Sequence, residues 1–389
     1  MSIALCWLGL LALFAGVTWL GRRLRVIPIV SQLLLATLGL PLVLLWSTPQ
    51  GFGAEELLAP DWLALLYGLA FTLVLGQILS EAVDLDLDAG SLKIAVPSFF
   101  LPFFCGLACA LWLLPAQSTV ASIAIGLLFA LTAIPVLFLY LRHFGYPPGK
   151  IRQLLQAAIL MDLLCWAIFA LAEGSGAPEK LLWPLLAACL PLLLKLLRVR
   201  SAWFNGLCFF ALLLTMHRLE LNALVFAIAY LLLLSGLRLP LRLPLPAAWF
   251  GALQTWLAVP LILSYGMLHV DWRSAWSSYS WLQLIALLLL PILSKLAGNW
   301  LGLSWAEKRL GPRLGKWRES LLLNTRGLTE IVFLNLLLQQ RIIGAELYFA
   351  LMLMGLIATL LPALTGRAPY PSNATPANTV NEARRYEVS

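Results

Sequence analysis

The sequence predicts an all-α polytopic membrane protein with about 13 transmembrane helices, arranged as an inverted repeat. Three observations lead there. First, of 389 residues 61% are apolar and only 11% charged, against roughly 45–50% and 25% in soluble domains. So few charges cannot cover a water-facing surface of this size. That excludes a soluble enzyme, a disordered chain and an extracellular disulfide scaffold. Second, the apolar residues come in continuous runs of the ~20 residues a helix needs to cross a hydrocarbon core of ~30 Å. They do not alternate as barrel strands would. Third, two of these runs are interrupted at corresponding places in the two halves of the chain.

The runs lie at about 3–20, 27–47, 61–80, 92–114, 118–141, 152–173, 181–197, 203–217, 221–237, 246–268, 279–303, 319–339 and 343–365. The first is followed, not preceded, by its basic cluster Arg22, Arg23 and Arg25. It therefore reads as an uncleaved span with the amino terminus outside. Alternating from there, the outer loops receive only Lys180, Arg218, Arg273 and Arg341. The inner loops receive nearly all the other bases, including Lys150, Arg152, Arg198, Arg238 and Lys316. The net charge of +8 is thus an orientation signal rather than a nucleic-acid signal. The six cysteines sit in apolar runs and read as small buried hydrophobes. Residues 1–365 form the transmembrane domain, and 366–389 form a disordered cytoplasmic tail. No loop could hold a nucleotide-binding domain and no GxxxxGK[ST] occurs, so transport would be secondary or passive. No enzymatic activity and no cofactor are expected.

With the seventh run as a linker, runs 1–6 and 8–13 begin on opposite sides of the membrane. The fifth then corresponds to the twelfth and the fourth to the eleventh. The fifth run holds ALTAIPVLF, where Pro135 lacks an N–H and clashes with the carbonyl of Leu131. The twelfth holds NTRGLT, with Asn324, Thr325, Gly327 and Thr329 together in an apolar helix. Broken helices at matching places mark an inverted repeat with a site at the bilayer midplane.

Four ionisable residues fall inside the runs: Asp162, Lys295, Arg326 and Glu330. Each costs at least ~2.5–3.5 kcal/mol at the bilayer centre, so each calls for a partner or a task. Arg326 and Glu330, spaced i,i+4, can neutralise one another on one helix face. Asp162 and Lys295 have no opposite charge nearby in sequence. Two readings stand for Asp162: a strut to a lysine on another helix, or a carrier of protons and cations. Burial disfavours the charged form of either group, which suits a site that gains and loses a proton. The acidic run Glu81, Asp84, Asp86 and Asp88 reads as a solvated loop. His143, His217 and His269 lie near span ends and read as interfacial. GNWLG at 298–302 matches the GxxxG helix-contact pattern.

At these residues the sequence resembles the monovalent cation:proton antiporter superfamily, especially its Kef-type and plant cation/proton exchanger-like branch. NTRGLTEIVFLNL (324–336) resembles that branch's second broken helix, and ALTAIPVLFLYLRHFG (130–145) its first. AILMDLLCWAIFAL (158–171) is similar to its ion-binding helix, and SKLAG (294–298) to its lysine-bearing helix. The resemblance implies a dimerising panel domain, a core domain with two crossed discontinuous helices, and a homodimer in a bacterial inner membrane. It implies that Asp162 and Thr132 bind the transported Na⁺ or K⁺, that H⁺ competes for Asp162, and that Lys295 is the counter-charge. Pro135, Asn324, Thr325, Arg326 and Glu330 would support the crossing. Met161 departs from the pattern, because the family commonly has a polar or acidic residue there. A thioether neither carries a proton nor binds Na⁺ or K⁺ strongly. The expected function is alternating-access exchange of a monovalent cation for H⁺. The alternatives are a transporter or gated channel for another solute on the same scaffold, and a non-transporting membrane sensor or scaffold.

Overall fold

The structure is a computed structural model. It describes residues 3–24, 28–42, 57–80, 88–114, 118–174, 179–198, 201–219, 221–241, 247–268, 281–306 and 313–364. The 366–389 tail, His269 and most of the acidic run at 81–87 lie outside these residues. Among the described residues the regular structure is entirely helical. Seven stretches are long and apolar enough to cross a membrane, and further apolar helices are shorter.

The chain opens with α1 (Ile3–Arg23), α2 (Pro28–Leu34, continued by a π-helical turn at Leu35–Gly39), α3 (Asp61–Ser80) and α4 (Ala89–Trp112). α5 (Thr119–Ala130) and α6 (Ile134–His143) are two half-helices of one apolar run. α7 (Pro148–Gly174) carries Asp162 near its middle. α8 (Glu179–Ala188) and α9 (Leu190–Leu196) divide the seventh run at Cys189. Pro191, in the first turn of α9, has no N–H to continue the ladder. α10 (Ala202–Arg218) and α11 (Ala223–Gly236) follow. α12 (Ala247–Leu253) passes through a π-helical turn at Gln254–Ala258 into α13 (Val259–Leu268). The chain then makes α14 (Trp281–Ala306), the half-helices α15 (Arg313–Leu323) and α16 (Leu328–Gln339), and α17 (Ala345–Leu364).

Helix starts follow capping chemistry. Ser118, Ser201 and Asn222 each accept a hydrogen bond from the backbone N–H three residues on, at α5, α10 and α11. Asp88 accepts from Gly90 N at the start of α4, which gives the last member of the acidic run a structural task. The two GxxxG glycines set a close contact between helices. A Cβ on Gly298 would lie 2.6 Å from the Pro97 carbonyl oxygen, and one on Gly302 would lie 2.5 Å from that of Ile94. α14 and α4 therefore meet backbone to backbone, as small residues allow in a bilayer. This contact brings Lys295 beside Ser98. Polar and charged side chains gather inside, including Thr132, Asp162, Lys295, Asn299, Ser320, Asn324, Arg326 and Glu330. Large hydrophobics such as Trp112, Leu171, Trp183 and Trp249 face outward, the inverse of a soluble domain and apt for lipid. Among the cysteines, only Cys109 and Cys165 are buried. Cys189 is exposed, which corrects its reading as a buried hydrophobe.

Candidate functional site

The site forms where two helices stop. α5 ends at Ala130, and Leu131 and Ala133 take extended backbone angles before α6 begins. Pro135 falls in the first turn of α6; its side chain lies outside what is described. α15 ends at Leu323, and Gly327 is extended before α16 begins. The two breaks meet. Ala133 N donates to Thr325 O at 2.8 Å, and Thr132 Oγ1 donates to Leu323 O at 3.1 Å. A Cβ on Gly327 would come within 3.1 Å of Ala133 Cβ and 3.2 Å of Val136 Cγ2. Glycine is what permits this approach.

Each break frees backbone groups that hydrocarbon cannot satisfy. The carbonyls at the end of α5 are met by two fully buried cations. The Arg326 guanidinium donates to Leu128 O and, at 2.7 Å, to Phe129 O. The Lys295 ammonium donates to Ala130 O and to Ser98 O at 3.1 Å. Both cations thus stand at the negative end of a helix dipole. On the opposite side of the break, the freed amide of Thr132 donates to Asp162 Oδ1 at 3.4 Å. Cations lie at the carbonyls and an anion at an amide, so the backbone itself sorts the charges.

Lys295 also donates to Met161 Sδ at 3.4 Å, so the thioether faces the lysine. Asp162 interacts electrostatically with both Lys295 and Arg326. Arg326 Nη1 in the break lies 3.6 Å from Glu330 Oε1 in the first turn of α16, so the pair does not share a helix face as the spacing suggests. Thr325 Oγ1 donates back to Leu322 O in the last turn of α15 at 2.9 Å. Asn324 is fully buried at the end of α15. The structure therefore brings Thr132, Met161, Asp162, Lys295, Thr325 and Arg326 to one junction, with Glu330 a turn along α16.

Three supporting residues escaped the sequence reading. Thr359 of α17 accepts from Arg326 N at 3.2 Å, with its hydroxyl 2.8 Å from Arg326 O. Ser98 lends its carbonyl to Lys295. Asn299 Nδ2 donates to Ser320 O at 2.9 Å. Only a lone hydroxyl or amide in an apolar run could have flagged them, and that signal is too common to single them out.

A cavity of about 190 Å³ opens between α2, the π-helical turn joining α12 to α13, and the first turns of α6 and α16. Gln32, Thr255, Val136, Leu139, Val259 and Leu328 line it. Gln32 Nε2 donates to Thr255 O at 2.7 Å and to Thr18 Oγ1 at 3.0 Å. A π-helical turn leaves its carbonyls open to such outside donors. Among the described residues, no group of three His, Cys, Asp or Glu side chains could hold a metal ion.

No family model matches this chain, and no curated protein matches it. Among solved structures, the chain is similar to the sodium proton antiporter MjNhaP1 from Methanocaldococcus jannaschii at pH 8. The TM-score is 0.57 at 15% identity, over 93% of this chain and 95% of that one. The likeness is one of fold, and it spans nearly the whole length of both proteins.

Proposed function

We propose that this protein exchanges a monovalent cation, Na⁺ or K⁺, for H⁺ across a membrane by alternating access, with Asp162 as the shared site. The observation that carries this reading is the mutual hydrogen bonding of the two helix breaks beside a buried carboxylate. Exchange needs a group that binds either guest but not both, and needs backbone oxygens to replace a hydration shell. Asp162, the Thr132 hydroxyl and the carbonyls of the breaks provide that chemistry. The fold shared with a sodium proton antiporter supports the same reading and points to a transporter rather than an enzyme.

In this proposal the deprotonated Asp162 takes the cation, and protonation from the opposite side releases it. The core then moves as a body against the panel. The shorter apolar helices complete about 13 spans in an inverted repeat, and residues 366–389 form a cytoplasmic tail. The protein is a homodimer in a bacterial inner membrane, with its amino terminus outside. Lys295 is the counter-charge. Arg326 and Glu330, with Asn324, Thr325 and Pro135, hold the crossing.

The test is a pH-dye assay in everted vesicles, adding Li⁺, Na⁺, K⁺ and Rb⁺ in turn. Wild type should release protons with Na⁺ or K⁺, and Asp162→Asn should lose at least 90% of that signal. Dequenching that persists in Asp162→Asn removes the residue from the carrier role. A second reading, transport of another solute, draws on Met161 and on the mostly apolar cavity wall. Uptake insensitive to sodium and potassium gradients would select it.

A further inference from the structure

The mechanism above uses one face of the crossing. The same core also carries buried polar atoms for which it gives no part in moving the proton or the cation. Asn299, Ser320 and Asn324 are all fully buried. Asn299 Nδ2 and Asn324 N both donate to the Ser320 carbonyl oxygen, at 2.9 and 3.1 Å. The three residues therefore surround one backbone oxygen. Yet, among the described residues, Asn299 Oδ1, Ser320 Oγ, Asn324 Oδ1 and Nδ2 and Ser98 Oγ find no hydrogen-bond partner. Buried polar atoms in such numbers are costly when unpaired and are normally met by water.

Asn299 is one turn from Lys295 on the same face of α14. Ser320 lies in the last turn of α15 and Asn324 just past its end. Next to Ser320 is Glu319, whose carboxylate lies 3.0 Å from Lys150 Nζ. Lys150 lies in the first turn of the helix that carries Asp162. At the other end, Lys295 reaches Met161 Sδ and the Ser98 carbonyl, with Asp162 and Arg326 as its charged neighbours.

We propose that Asn299, Ser320 and Asn324 bind a short chain of water molecules. This chain links the Lys150–Glu319 pair to Lys295 through the interior of the core. It is separate from the cavity at Gln32 and Leu328. Waters bridged by carboxamides and a hydroxyl can relay protons along this route toward the crossing. The proton role rests on the exchange reading; the bound water does not.

Met161 supplies the probe. It is fully buried, and a thioether is oxidised readily by hydroxyl radicals made from adjacent water. Pulsed X-ray footprinting of the purified full chain should convert Met161 to its sulfoxide in wild type. Labelling should fall at least fivefold in Asn299→Leu and Asn324→Leu, and should be retained in Asn324→Ser, which keeps a hydrogen-bonding group and controls for folding. Everted vesicles give the second measurement. Turnover of the two leucine variants should drop about tenfold more at alkaline than at acidic cytoplasmic pH, with the cation KM of Asn299→Leu unchanged. Unlabelled Met161 in wild type, or equal labelling in the leucine variants, overturns the water chain. Labelled Met161 in a wild type that exchanges no cation leaves the chain standing and removes only the exchange reading.

Discussion

At the scale of single residues, Arg326 does more than neutralise Glu330. Its guanidinium closes two carbonyls at the end of α5 as well as facing the carboxylate at 3.6 Å. Removing one partner of a buried pair costs about 3–5 kcal/mol. Arg326→Leu should therefore lose that much in a denaturation measurement in detergent. Glu330→Gln leaves the carbonyl bonds in place and should lose less than half as much. Equal losses would mean that the carbonyl bonds contribute nothing. The four ionisable residues were legible in the sequence, because a charge in an apolar run stands out against its cost. Thr359, Ser98 and Asn299 were not. A neutral hydroxyl or amide is cheap enough in a helix to occur for no reason. Their partners are also backbone groups freed by breaks far away in sequence, which no local pattern encodes. The place of Met161 was legible, but not its contact with Lys295.

At the scale of elements, both interruptions could be read from proline, glycine and clustered hydroxyls. The π-helical turns at Leu35–Gly39 and Gln254–Ala258 could not, because an extra residue in a turn has no compositional mark. The second turn is tied down by Gln32, which reaches Thr255 O and Thr18 Oγ1. Gln32→Leu strands that carbonyl and should cost about 1–3 kcal/mol, seen as a lowered Tm in detergent. An unchanged Tm would mean the turn does not need this donor. The α4–α14 contact makes a sharper prediction. A Cβ at Gly298 or Gly302 meets backbone oxygen that cannot rotate away. Gly302→Val should cost about 1–3 kcal/mol through overpacking, whereas Gly9→Val, in open space on α1, should be neutral in the same assay.

At the scale of the whole molecule, the proposed exchange has an electrical signature. With a single carboxylate as carrier, and Lys295 charged throughout, one cation leaves for each proton that enters and no net charge crosses. Proteoliposomes on a solid-supported membrane should then show no sustained current when a Na⁺ or K⁺ jump is applied. A robust current would mean that Lys295 gives up its proton as the cation binds. The bonds at the junction also set a timetable for synthesis. Leu128, Phe129 and Ala130 receive their donors from residues 198, 197 and 165 positions later in the chain. At about 5–20 residues per second, the ribosome needs roughly 10–40 s to supply Arg326 after those carbonyls have been made. Through that interval the carbonyl end of the early half-helix lacks these donors, so its final hydrogen bonding waits on the closing segments of the chain.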